Sequence, residues 1–136
     1  MARPIDTDIS IQMERRGGRL RRVPLASDDS SAISSITASE LLVGVHRADS
    51  PARAIRRAAY VEALLSAIPV LPFDLAAART HAAIAAELAR QGCTIGAHDL
   101  IIAATAITHG FGVLTGSVGD FSQVPGLDAA QPAWDD

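Results

Sequence analysis

The stretch from Ile95 to Gly110 constrains this chain more than any other. Leu100, Ile101, Ile102, Ala103, Ala104, Ala106 and Ile107 leave it almost no polar side, so a helix built here has to be buried. Gly96-Ala97 opens the segment and Gly110 closes it, which are start and stop signals for a helix. Its one carboxylate, Asp99, falls in the first turn. Unpaired backbone N–H groups and the positive end of the helix dipole favour a negative charge there. A helix-start role therefore accounts for Asp99 taken alone, and the other acids of the chain decide whether it does more.

A buried helix needs an interior to receive it. At 136 residues the chain is long enough for one domain with a real core, and the domain is taken as residues 1–136. Hydrophobic residues make up 49% and aromatic residues only 4%, so the core is expected to be aliphatic and alanine-rich, packed between helices. No window reaches the roughly 18 apolar residues a membrane-spanning helix needs, and the region of Arg3 and Pro4 has no signal-peptide core. A cytoplasmic protein without membrane association is expected. Cys93 is the single cysteine, which leaves no internal disulfide and no partner at metal-site spacing.

The formal net charge of -3 and a pI near 5.7 argue against coating nucleic acid by bulk charge. Local groups matter more: Arg15, Arg16, Arg19, Arg21 and Arg22 form one basic cluster, and Arg53, Arg56 and Arg57 form another. The chain contains no lysine. That removes the P-loop lysine, Schiff-base chemistry and any Ser–Lys pair.

In chain order, Arg3-Pro4-Ile5 reads as a short first strand ending in Asp6-Thr7-Asp8, with Pro4 limiting its ladder. A brief helix through Ile9 to Arg15 is broken by Gly17-Gly18, and a basic turn and polar loop follow to Ser31. Ala32 to Ile36 reads as a second strand. Thr37-Ala38-Ser39-Glu40 ahead of Leu41-Leu42-Val43 matches a capping box, which predicts a helix from Thr37 to about Arg47 and gives Glu40 a role inside its own helix. Ser50-Pro51 starts a helix to about Ala67, Ile68 to Leu71 is a strand, and Asp74 caps a helix from Leu75 to Arg90 that Gly92 stops. Phe111 to Thr115 is the last strand, followed by a Gly-Ser loop carrying Asp120-Phe121.

Strands alternating with helices point to an α/β fold with a parallel sheet covered by helices. Ligands in such sheets collect at the carboxyl ends of the strands. Asp6, Glu40, Asp99 and Asp120 all map to that edge. Crowded carboxylates repel and rise in pKa unless a cation neutralises them. Hard cations that take oxygen ligands fit, Mg²⁺ first and Mn²⁺ second.

The segments Ile5-Asp6-Thr7-Asp8, Ile36 to Val45, Ile95 to Ala106 and Val113-Leu114-Thr115, with Asp120-Phe121 and Val124-Pro125-Gly126-Leu127, resemble PIN-domain ribonucleases, in particular the VapC toxins of bacterial toxin–antitoxin modules. The resemblance covers nearly the whole chain in order. It implies a PIN-like three-layer α/β/α fold with a short central parallel sheet of four to five strands. It also implies a metal-dependent endoribonuclease that attacks structured RNA such as tRNA or rRNA and is neutralised by a VapB-type antitoxin. Asp6, Glu40 and Asp99 match the family's three near-constant acids, with Asp6 and Asp99 as metal ligands, and Asp120 stands as the fourth acid. Ser117 matches a place where the family carries an acid or Asn, and Arg3-Pro4 departs from the family's apolar first strand.

Such a site works by positioning and charge, with a metal-activated water as nucleophile. Thr7, Thr115 and Ser117 are candidates for orienting ligands or water, and Arg15 to Arg22 for contacting the RNA backbone. His98 is a weaker phosphate contact, and His46, His81 and His109 read as helix-face or helix-end residues. The rivals are a non-catalytic PIN-like module that binds RNA or protein, and a phosphatase or receiver built on Asp6-Thr7-Asp8. The latter classes ordinarily want a lysine near the phosphate. Alanine-rich helices between Pro51 and Arg90 suggest a homodimer.

Overall fold

The structure, a computed structural model, describes residues 3–4, 31–115 and 118–130. Strands β1 (Arg3–Pro4), β2 (Ser31–Ser34) and β3 (Val70–Leu71) form one parallel sheet in the order β1-β2-β3. Arg3 pairs with Ser31 and Pro4 with Ala32, while Ile33 pairs with Val70 and Ser34 with Leu71. Ala32, Ile33 and Ser34 are wholly buried, as the middle strand of a small helix-covered parallel sheet requires. A second parallel pair joins β4 (Val113–Leu114) to β5 (Ala129–Ala130), and β4 packs beside β1.

The helices are α1 (Ser35–His46), α2 (Pro51–Ala67), α3 (Leu75–Arg90), α4 (Ala97–Thr108) and the short α5 (Val118–Phe121). Helices α2 and α3 begin where their sequence signals place them. The Ser50 hydroxyl accepts from the Arg53 N–H at 3.2 Å with Pro51 at the first helical position, and the Asp74 carboxylate accepts from the Ala77 N–H at 2.9 Å. Gly92, at φ +69, takes the left-handed conformation that ends α3.

Helix α1 starts earlier than its sequence predicts. Its cap is Ser34, whose extended backbone and hydroxyl meet the Thr37 N–H at 3.1 Å, while the same hydroxyl donates to Thr37 Oγ1 at 3.0 Å. The capping box assigned to Thr37 and Glu40 is therefore one turn too late. Strand β2 stops at Ser34 for the same reason, since Ser35 and Ile36 are already helical. The other strands are shorter than expected because helix ends consume their first N–H groups. The Ile68 N–H closes α2 on the Leu64 carbonyl at 3.2 Å, and the Phe111 N–H closes α4 on the Ala106 carbonyl at 2.8 Å. The loop expected around Asp120 is α5, and β5 carried no strand signal in the sequence.

Two apolar clusters hold these pieces together. Helices α1 and α2 bury Ile33, Ala38, Leu41, Val61 and Leu64. Helices α3 and α4 bury Ile84, Leu88, Ile102, Ala103, Ala104 and Ala106 with Val113, Phe121 and Val124. Ala103, Ala104 and Ala106 of α4 are fully covered, and side chains that small let α3 approach closely. The burial expected of the Ile95–Gly110 stretch is thus met through its middle, with Leu100, Ile101 and Ile107 half-buried nearer its ends. No helix among the described residues is long and apolar enough to cross a membrane. The expected helix at Ile9–Arg15 and the loop that follows it lie outside the described residues.

Candidate active site

Glu40 sits in the second turn of α1, past the cap that Ser34 supplies. Its position is set by the buried side of the helix, where Thr37, Ala38 and Leu41 face inward. Helix α1 packs against α4, and the contact reaches across the chain: Glu40 Oε2 lies 3.0 Å from His98 Nδ1. A carboxylate only accepts, so the ring places its proton on Nδ1 and donates. The Glu40 side chain is 29% exposed and that of His98 is 55% exposed, so the pair lies at the rim of the packed interior rather than within it.

Asp99 stands next to His98 in the first turn of α4. The helix cap is Gly96, which offers no side chain to the free N–H groups. The Asp99 carboxylate folds back over that glycine, with Oδ2 3.6 Å from where a Cβ on Gly96 would sit. This places the charge at the positive end of a helix dipole. The fold thus brings Glu40 to the turn that carries Asp99, although the two residues come from distant parts of the chain.

Thr115, immediately after β4, is fully buried. Asp120 is exposed on α5, which its fully buried neighbour Phe121 fixes to the core. Among the described residues, no three His, Cys, Asp or Glu side chains form a group that could hold a metal ion. Asp6, Thr7, Ser117 and the arginines Arg15, Arg16, Arg19, Arg21 and Arg22 lie outside the described residues.

The remaining histidines lie on helix faces or at helix ends, as expected. His81 meets Phe73 edge-on at 5.8 Å, His109 Nε2 lies 3.3 Å from the Pro72 carbonyl, and His46 ends α1. A perturbed carboxylate occurs away from the site. Arg90, donating at 2.6 Å, and then Gln91 hold the Glu87 carboxyl below the ordinary glutamate range at the solvent-facing end of α3. The contact that sequence reading missed is His98 to Glu40. Nothing local pairs residues 58 positions apart; the available signal was that His98 adjoins a candidate acid.

A family model described as PIN domain matches residues 5–127, and the chain is 40% identical over 124 residues to ribonuclease VapC1 of Rickettsia felis, covering 91% of each. The chain belongs to the PIN-domain family, in its VapC branch. This PIN domain is also 35% identical over 124 residues to the tRNA(fMet)-specific endonuclease VapC of Shigella flexneri, covering 90% of this chain and 92% of that one. Among solved structures it resembles a chain of DNA-bound VapBC from Salmonella typhimurium, with a TM-score of 0.82, 32% identity, and 96% and 98% of the two chains covered. The VapBC2 structure from Rickettsia felis bound to a promoter DNA fragment aligns with a TM-score of 0.83 over 99% and 100% of the chains; at 24% identity it shows the shared fold.

Proposed function

We propose that residues 1–136 form one PIN domain that acts as a cytoplasmic endoribonuclease toxin, hydrolysing phosphodiester bonds in RNA of the tRNA or rRNA class and held inactive by a VapB-type antitoxin. The observation that carries this reading is that Glu40 is held, through His98, at the helix turn bearing Asp99. Support also comes from relatives named as ribonucleases and from similar structures that are VapBC complexes. A homodimer is part of the proposal.

The donor chemistry at this turn fits a hard divalent cation. Carboxylate oxygens from different elements repel unless a positive charge lies among them, and an oxygen donor set favours Mg²⁺ or Mn²⁺ over softer metals. Asp6 and Asp99 would hold the ion, with Glu40 and Asp120 completing the acidic lining. When bound, the cation makes water a better nucleophile and offsets the charge that develops on the phosphate. Asp99 does its part by presenting its carboxylate at the positive end of α4. Glu40, with one carboxylate oxygen hydrogen-bonded to His98, orients the attacking water. Thr7, Thr115 and Ser117 steady these groups, and Arg15, Arg16, Arg19, Arg21 and Arg22 take the RNA backbone by charge. No side-chain nucleophile is needed.

The test is to express the chain briefly in bacterial cells and map new RNA 5′ ends. Discrete new ends in tRNA or rRNA are expected. Purified protein that binds Mn²⁺ but generates no new ends on any RNA would instead identify a binding module.

A further inference from the structure

We infer that His98 is a positioning residue for Glu40, fixing the plane of its carboxylate at the candidate active site; this rests on the nuclease reading above. The bond from Nδ1 to Oε2 is 3.0 Å and joins α1 to α4. It differs in kind from the described ion pairs. Arg53 with Asp49, at the start of α2, and Arg90 with Glu87, at the end of α3, are local pairs four and three residues apart and lie on solvated faces. The His98 ring comes from a turn already fixed by the Leu100 N–H on the Gly96 carbonyl at 3.0 Å. That turn also carries Asp99, so a single backbone segment sets both the Asp99 carboxylate and the partner of Glu40. A glutamate has three rotatable side-chain bonds, and a donor on one oxygen selects one orientation from many.

His98→Ala removes the donor. His98→Asn keeps one, because the Asn amide nitrogen reaches the place of Nδ1. Both full-length variants are compared with the unmodified chain for kcat and KM on a cleaved RNA, and for Mn²⁺ binding without RNA by calorimetry. Alanine is expected to lower kcat by about 10–100-fold with KM unchanged, and to weaken Mn²⁺ binding within the same range because Glu40 lines the site that draws the ion. Asparagine is expected to restore most of both. An alanine variant with unchanged kcat and Mn²⁺ affinity overturns the role. So does a rise in KM alone, which would make His98 an RNA contact, and so does an asparagine variant no better than alanine. If the unmodified chain cleaves no RNA, the nuclease reading fails by itself. The Mn²⁺ comparison still judges His98 in that case, equal affinities overturning its role.

Discussion

Replacing Ser34 with alanine removes the group that starts α1 and leaves two partners behind. The Thr37 N–H loses its acceptor at 3.1 Å and Thr37 Oγ1 loses its donor at 3.0 Å, and both Ser34 and Thr37 are fully buried. Loss of a helix cap costs about 1 kcal/mol. Stranding a buried polar group costs about 1–3 kcal/mol. The two effects overlap at Thr37, so Ser34→Ala should destabilise by about 2–3 kcal/mol, which lowers the melting temperature by about 6–12 °C for a chain of this size. Glu40→Gln should behave in the opposite way. The glutamine oxygen still accepts from His98, and a half-exposed pair of this kind contributes about 0–1 kcal/mol, so stability should hardly change. Cleavage should nevertheless fall by more than about 100-fold, a loss larger than that of an outer partner. Urea unfolding and RNA cleavage measured on both variants separate the roles. A Ser34→Ala variant as stable as the unmodified chain, or a Glu40→Gln variant that cleaves RNA as well as the unmodified chain, would return the capping role to Glu40, since Gln also completes a capping box.

Other consequences follow from the packing and charge of the molecule. Leu64 is fully covered between α1 and α2, so Leu64→Ala should cost about 2–5 kcal/mol in urea unfolding. An antitoxin tail that plugs the acidic site with Arg or Lys should inhibit less as Mg²⁺ is raised, and equal inhibition from low to high Mg²⁺ would place its action elsewhere. Light scattering at micromolar concentration should give the mass of a dimer. A monomer mass would remove that part of the proposal.

Where a signal was local, the sequence was enough. Ser50-Pro51 and Asp74 each place a helix start to the residue, because the cap and the N–H it satisfies are three positions apart. The Ile95–Gly110 run announces the burial of its middle because it has almost no polar side to leave in water. The start of α1 was misplaced because two overlapping patterns competed. Thr37 and Glu40 have capping-box spacing, but Ser34 reaches Thr37 first from extended backbone. Strand ends were harder to see because Ile68 and Phe111, apolar enough for strands, give their N–H groups to helix carbonyls. Strand β5 is two alanines, which carry no strand preference and are ordered only by pairing with β4. At the site, Glu40 and Asp99 were legible as acids in the opening turns of their helices. The His98–Glu40 bond was not, since it depends on how α1 packs against α4.

The central claim is that Asp99 is a working acid of a metal-dependent nuclease as well as a helix-start residue. Asp99→Asn is nearly isosteric and keeps a polar group over Gly96, so the helix start survives while the charge is lost. The decisive measurement is cleavage of a target RNA in Mg²⁺ by the unmodified chain and by Asp99→Asn, with both checked for the same melting behaviour. The account predicts cleavage by the first, abolished by removing the metal with chelator, and none by the second. Full cleavage by a folded Asp99→Asn variant would contradict it.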